Sequence, residues 1–564
     1  MTTSIITRFR DEISKVPARK MFRVLALLSA LLFFVGLNSR FLMDSDEPRV
    51  AGLSTEINLT GNYLKPQLNG KSFLEKPPLY FWADAVSLKV ADKLGIKGPM
   101  AAKLPSAVVA FLGVLVLYGL LRTMRYSPLA CMLSGFFLAT SGQYWRNGRK
   151  CIVDTFLCFF ILLCLAAFYR LASTKKGSHR ICFFALYVLA LGGAVMSKGL
   201  VGAAIPGLTI GAFLALDDFL IEKRFTWKRW LVAAIGGILG MVPVLVWFGM
   251  LYKYHGYETF ETAAITNNIG RFTGGHAEHV EPFYYYLRKL PEIFQPWLAF
   301  LLLALAWAWT RLREKVSDSR ALLFMLAWLL PSFLLMTISS GKRVVYLLPL
   351  FPPAAMLSGV FIAALLEGKV KVKGVNLDII LNYASYILPV VPGVSSIVFG
   401  SIMLYHGKPG MTIFLTVASG LVLTFFAYYF LRGGRFIMRY SLCLLFSLVL
   451  ILLQADVDIL GQASTESTFN KYFAKVSKQI DANTVIYLFK PSERFRGAMV
   501  YYLQRTGCPE IKDLSLVKTI PGKKVLILSS TRRLPKGTLE SGKYEVNLSF
   551  PLEKDTYLVL SPKR

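Results

Sequence analysis

At 564 residues, 55% hydrophobic and a formal charge of +31, the chain is too apolar along its length for a soluble domain. Apolar runs of about 18 residues, enough to cross a bilayer as a helix, recur through most of it, so it reads as a polytopic membrane protein. The charge alone would suit nucleic acid, but the Lys and Arg alternate with apolar runs, which excludes that partner and makes the charge a topology signal. Of the seven cysteines, six lie in or beside apolar runs and Cys508 stands apart, so neither a disulfide framework nor a CxxC metal site is implied.

In chain order, a basic segment at 8–23 leads into the first apolar run near 21–41. No small-residue cleavage site follows it, so the run is an anchor rather than a removable leader. Further runs near 101–121, 127–142, 152–169, 181–197, 200–217, 230–251, 297–310, 321–338, 344–366, 379–404, 411–431 and 440–458 bring the expectation to about 13 transmembrane helices. The connections at 122–125, 175–180, 223–229, 311–320, 369–373 and 432–439 are basic. The positive-inside rule puts them and the N-terminus in the cytoplasm, and an odd number of spans sends the C-terminus outside.

The outer face then receives loops 42–100 and 252–296 and a tail from 459. In the tail, strand-like runs at 485–488, 524–528, 544–548 and 557–560 flank a helical stretch near 494–505, so a small α/β domain is expected. The expected division is a membrane domain over 1–458 and an outer domain over 459–564.

Outer connections should be poor in basic residues. Yet "YWRNGRKCIVD" carries Arg146, Arg149 and Lys150 ahead of Asp154, "MSKGLVG" carries Lys198, and "SSGKRVVYLLP" carries Lys342 and Arg343. Taken singly, each reads as well as a snorkelling side chain at the interface. As a group on one face they point to an anion site, with phosphate the expected anion. Acidic residues meet them in "FLMDSDEPRVAG", where Asp46 precedes Glu47-Pro48. That pattern suits a helix start with proline in the first turn. A carboxylate beside a cationic pocket is also what a general base requires.

These residues resemble the GT-C glycosyltransferases of the protein O-mannosyltransferase superfamily, closest to the bacterial lipid A aminoarabinose transferase (ArnT) group. The likeness rests on Asp46-Glu47-Pro48-Arg49, on Glu75-Lys76-Pro77-Pro78-Leu79-Tyr80 within "GNYLKPQLNGKSFLEKPPLYFW", and on Arg149 with Asp154. It continues through Lys198-Gly199, Arg271-Phe272 followed by His279, Pro282 and Tyr284, and the segment from Gly341-Lys342 through Tyr346 to Pro349.

The resemblance implies a GT-C fold and an inverting, lipid-linked sugar transferase of the inner membrane, with its active site on the periplasmic side. It implies transfer of 4-amino-4-deoxy-L-arabinose, or a related amino sugar, from undecaprenyl phosphate to a lipid A phosphate. Asp46 and Asp154 would be catalytic. Lys76, Arg271 and Tyr346 would bind the donor phosphate, and Arg49, Arg149, Lys198 and Lys342 the acceptor or the sugar. No cofactor is required. The group's zinc histidine is replaced by Asn267 or Asn268 in "TNNIGRF", which leaves Glu75, His276 and His279 as candidate ligands for zinc or another divalent ion. The expected partners are the polyprenyl-phosphate sugar, lipid A or another glycolipid, and membrane lipid, with the protein acting as a monomer. Two alternatives stay open: a mannosyltransferase-like enzyme acting on a protein or glycolipid hydroxyl, and a lipid transporter or flippase. The second should show paired halves or broken midplane helices.

Overall fold

The structure, a computed structural model, describes residues 5–43, 46–96, 98–174, 177–270, 280–314, 318–370, 391–405, 469–552 and 555–563, with short pieces between 376 and 425. Helices α1 (Ile5–Ser14) and α2 (Ala18–Phe34) open the chain. The loop expected at 42–100 is itself built of regular elements: α3 (Asp46–Thr60), a hairpin of β1 (Gln67–Leu68) and β2 (Lys71–Ser72), and α4 (Leu79–Lys93). The hairpin turns on Asn69-Gly70, both at positive φ, as a two-residue turn between right-twisted strands requires. Glu56 of α3 accepts from both turn amides, Asn69 N at 2.5 Å and Gly70 N at 2.7 Å. Pro77 and Pro78 lie immediately before α4; proline lacks the amide that a helix entry leaves unpaired, so the loop stops there without loss.

The bundle comprises α5 (Met100–Thr123), α6 (Pro128–Thr140), α7 (Gly142–Gly148), α8 (Val153–Ser173), α9 (Gly177–Lys198), α10 (Leu200–Asp217), α11 (Trp227–Glu261), α12 (Tyr285–Ile293), α13 (Leu298–Arg313), α14 (Ser319–Ile338), α15 (Phe351–Leu366) and α16 (Val391–Tyr405). Seven described helical segments are long and apolar enough to cross a bilayer, and α12 with α13, bent by 113° at the break between them, meets the same criterion only as a pair. The expected run at 127–142 is the 13-residue α6 followed by the separate short α7, because Ser141 turns extended between them. The stretch expected as a loop from 252 is still helical at its start: α11 runs past it to a break at Gly256 (φ +82), beyond which a second helical piece reaches Glu261. The expected span at 440–458 lies outside the described residues. That at 411–431 is described only in pieces.

At one end of the bundle, fully buried Asp217 accepts from Arg229 at 2.5 Å and Arg320 at 2.7 Å. Part of the basic charge in those connections therefore pins helix ends together.

The C-terminal region holds α17 (Phe469–Ser477), β3 (Thr484–Phe489), α18 (Glu493–Leu503), β4 (Glu510–Ile511), β5 (Lys524–Ser530), β6 (Tyr544–Leu552) and β7 (Asp555–Pro562). The five strands run in the order β4-β3-β5-β7-β6, with β3 parallel to β4 and β5, and β7 antiparallel to β5 and β6. Alternation along β3 and β5 sends Ile486, Leu488, Leu526 and Leu528 to the face covered by α17 and α18, and Tyr487, Phe489, Val525 and Ile527 to the other.

This domain docks on the first outer loop through α18 and α3. The two helices cross at Gly52 and Gly497, so closely that a Cβ on Gly497 would lie 2.4 Å from Pro48 O. Beside the crossing, Asn69 and Cys508 exchange hydrogen bonds of 2.9 and 2.8 Å. Glu510 accepts from Arg496 at 2.7 and 2.9 Å and pairs with Lys71.

Candidate active site

Asp46 opens α3, and Arg49 follows one turn later, so spacing alone puts the two side chains on one helix face. Arg49 Nη2 donates to Asp46 Oδ1 at 2.5 Å. Its Nη1 donates to Glu493 Oε2 of the C-terminal domain at 2.7 Å, and its guanidinium lies 5.5 Å from the Phe73 ring centre. The second oxygen, Asp46 Oδ2, accepts from Arg343 Nη2 at 2.7 Å. Burial by itself would raise the Asp46 carboxyl, but Lys76, Arg49 and Arg343 outweigh it and hold the group down at about 2. Asp46 is therefore ionised at every physiological pH.

A second acidic-basic pair lies where α8 begins and α9 ends. These helices pack as an antiparallel pair, which brings Asp154 in the first turn of one beside Lys198 at the last residue of the other; the two form an ion pair. Each sign also sits at the helix end whose dipole favours it. Gly199, at φ +58, allows the reversal into α10 that leaves Lys198 at this corner. The Lys198 ammonium lies 4.0 Å from the Tyr346 ring centre, a cation–π contact that ties the 344–350 turn to the pair.

Lys76 is half-buried between the two pairs. Burial, most of all, lowers its ammonium to about 8, helped by Arg49 and Lys198 and opposed by Asp154 and Asp46. Among the described residues it has neither a hydrogen bond nor an ion pair of its own. A desolvated ammonium without a bonded acceptor is poised for an incoming anion.

Of the residues expected from sequence, Asp46, Arg49, Lys76, Asp154, Lys198 and Tyr346 thus converge through contacts or through each other's fields. Lys342 lies at the margin, its ammonium donating to Glu281 O at 2.9 Å and Ser339 O at 2.5 Å. Arg149 lies beside the end of α2, where its Nη1 donates to Leu32 O at 2.6 Å and Val35 O at 2.8 Å and satisfies carbonyls that the helix leaves open. Arg271, His276 and His279 lie outside the described residues. Among those described, no group of three or more His, Cys, Asp or Glu is arranged to hold a metal. Glu75 lines a second cavity with Lys65, Glu258 and Glu493.

Two residues were missed on the page of sequence. Glu47 is fully buried and bonds Arg40, Met43 N and Cys151 N, locking the start of α3 to the start of α8. Its burial has no local signal beyond adjacency to Asp46. Glu493 lies 444 residues from the arginine it holds, and nothing in the tail's strand pattern marks it.

The comparisons with known proteins bear on this geometry. The family model described as dolichyl-phosphate-mannose-protein mannosyltransferase matches residues 75–247. An undecaprenyl phosphate-alpha-4-amino-4-deoxy-L-arabinose arabinosyl transferase 2 of Proteus mirabilis is 27% identical over 340 residues, 59% of this chain and 58% of that protein. A similarly named transferase of Pectobacterium atrosepticum is 28% identical over 403 residues, 71% of this chain and 68% of the relative. The crystal structure of ArnT from Cupriavidus metallidurans bound to undecaprenyl phosphate superposes with a TM-score of 0.71 at 19% identity, covering 95% of this chain and 97% of that one. The chain has the GT-C fold. The likeness read from the motifs, to the protein O-mannosyltransferase superfamily and within it to the ArnT group, is the one these matches give. In this GT-C protein the converging charges sit where α3, α8, α9 and the 344–350 turn meet, each supplied by a different part of the chain.

Proposed function

We propose that this GT-C protein transfers a sugar, 4-amino-4-deoxy-L-arabinose or a related amino sugar, from undecaprenyl phosphate to a phosphate of lipid A. The observation that carries the reading is Lys76, a half-buried ammonium with no bonded acceptor among the described residues, held between the ionised Asp46 and the Asp154–Lys198 pair. The relatives' names supply the sugar and the carrier.

In the reaction, the acceptor oxygen forms a bond to the sugar's anomeric carbon while the bond to the donor phosphate breaks on the opposite side, inverting the centre. The electron pair leaves with the phosphate, which passes from a singly charged diester to a doubly charged monoester. Lys76 binds the phosphate more strongly as that charge grows, so its effect falls on the rate. Tyr346, packed on Lys198, borders the same phosphate, and Arg271 is assigned to it by resemblance. Asp46 and Asp154 face the sugar's other side. Incubating the purified protein with labelled undecaprenyl-phosphate sugar and lipid A tests the proposal: labelled lipid A is expected. Label crossing vesicles without transfer would sink the proposal in favour of a flippase.

Asp46 favours a phosphate acceptor over a hydroxyl. A carboxylate held at about 2 is a poor proton acceptor near neutrality, whereas an acceptor phosphate is already ionised and needs no base. Asp46→Asn is expected to cost far less than the roughly 10²–10⁴ that loss of a general base costs, with no acidic limb lost from the pH profile. A thermal melt of the same variant separates a folding loss, since Arg343 then lacks its carboxylate. A loss of about a thousandfold in kcat in a variant that melts normally would favour the mannosyltransferase-like alternative.

We further place the protein in the bacterial inner membrane as a monomer, with the N-terminus cytoplasmic and with the site, loops 42–100 and 252–296 and the domain 459–564 periplasmic. The basic connections support this orientation. A periplasm-dependent reporter is expected to be active after Ser467 and silent at Gly177 and Glu314. The reverse pattern would invert the site.

A further inference from the structure

Next to Asp46, on a wall that does not include Lys76, Asp154, Lys198 or Tyr346, lies a cavity of about 440 Å³. Its wall carries Arg146, Lys150, Lys342 and Arg343, with Tyr285 beside them. We propose that this cavity seats the anionic group of the acceptor, a phosphate monoester on a glycolipid headgroup, and that Arg146 is its principal reading residue. The proposal rests on the transferase reading and assigns its second substrate a place.

The cations around the cavity are not equally committed. Arg343 is held by Asp46 at 2.7 Å, and Lys342 spends two of its three N–H groups on backbone carbonyls. Lys150 is buried. Arg146 is exposed toward the cavity and, among the described residues, its guanidinium has no hydrogen bond or ion pair. The acidic residues on the wall are Asp46, Glu47 and Glu281. Arg49 and Arg343 neutralise the first, and Arg40 the second. Arg146 is left with no anionic partner of its own among the described residues, and an anion bound in the recess would supply one.

The planar guanidinium offers paired donors that match two phosphate oxygens, which an ammonium does not. The volume is in the range of small-ligand sites and admits a phosphate with its first sugar, not a whole acylated lipid. Position matters as much as charge. Asp46 lines this cavity and also acts through its charge on Lys76, so an acceptor seated beside Arg146 is next to the donor site, and inversion requires that it attack from the face opposite the leaving phosphate. The acceptor monoester becomes a diester in the step, the donor phosphate takes the electron pair, and no proton has to move.

The test uses the full-length protein in detergent, with bisphosphorylated lipid A, phosphate-free lipid A and millimolar inorganic phosphate as probes of binding. Wild type is expected to bind the bisphosphorylated form and to discriminate against the phosphate-free form. Arg146→Gln is expected to weaken that binding about tenfold to a hundredfold, Arg146→Lys to recover part of it, and neither to change undecaprenyl phosphate binding. Because Arg146 is exposed and unpartnered among the described residues, both variants should fold. Unchanged lipid A binding in Arg146→Gln, or an equal loss for undecaprenyl phosphate, overturns the proposal. Displacement of lipid A by inorganic phosphate overturns its lipid half. If wild type transfers no sugar yet Arg146→Gln selectively loses lipid A, the site stands and the transferase reading falls. If transfer occurs and the KM for lipid A is the same in Arg146→Gln, the site falls and the transferase reading stands.

Discussion

Lys76→Ala is expected to lower kcat about 10²–10³-fold, the effect of removing one preorganised donor from a developing oxyanion. The loss should exceed that at any other single cation of the site. Arg49, Arg343 and Lys198 are each tied to a carboxylate, whereas Lys76 has no such pair among the described residues. The fold should not suffer. Burial lowers the ammonium from its ordinary 10.5 to about 8, so the folded state disfavours the charged form and is penalised for carrying it below that pH. The penalty is relieved as pH rises from about 8 toward 10.5. Removing the amine therefore leaves the melting temperature unchanged or raises it.

The same shift predicts a pH effect on function. As pH passes about 8 the lysine begins to lose its proton, so donor KM should climb, and Lys76→Arg should flatten that climb because guanidinium stays charged. Bound phosphate will move the midpoint upward, since an anion favours the protonated amine. Normal kcat and normal donor KM in Lys76→Ala would remove this residue from the site.

The second large effect is expected at a position that touches no substrate. Gly497→Val places a Cβ 2.4 Å from Pro48 O, and Gly52→Val places one 2.5 Å from Gly497 Cα. Both obstacles are backbone, so neither can step aside by changing rotamer, and α18 must lift from α3. Overpacking of this kind typically costs about 1–3 kcal/mol, or about fivefold to 150-fold in the docking equilibrium.

Lifting α18 withdraws Glu493 from Arg49, and Arg49 in turn holds Asp46. Transfer should fall at least about tenfold while the bundle's own melting transition stays in place. Limited proteolysis between the bundle and Phe469 should speed up in the same variants. Gly211→Ala in α10, where a Cβ meets nothing within 4 Å, is the control and should be silent. If Gly497→Val transfers sugar like wild type, docking of the C-terminal domain is irrelevant to the site.

Much of the architecture was legible because it is written in local patterns. Long apolar runs predicted α5, α8, α9 and α14 within a few residues, since a helix in lipid must satisfy its own backbone. Alternating runs in the tail predicted β3, β5, β6 and β7, because period-two burial is a property of each strand. What the pattern missed was short or lay in stretches expected as loop and tail: β4 is a two-residue edge with no alternation to read, α7 hides in an apolar stretch that only a turn at Ser141 divides, and α4 and α17 are helices outside the long apolar runs.

The site divided along the same line. The sequence by itself determined that acids and bases would meet, since spacing puts Asp46 beside Arg49 and the basic residues of 146–150, 198 and 342–343 all stand at the ends of apolar runs. Which charge meets which was decided only in three dimensions. Arg149 and Arg146 lie three residues apart with the same chemistry, yet one closes the end of α2 and the other lines a cavity. Arg343 reaches Asp46 across 297 residues and Glu493 reaches Arg49 across 444. The physical reason is that helix and strand propensities act over a few residues, whereas an ion pair depends on distance through space and on the water excluded around it. Neither quantity exists until the helices have packed.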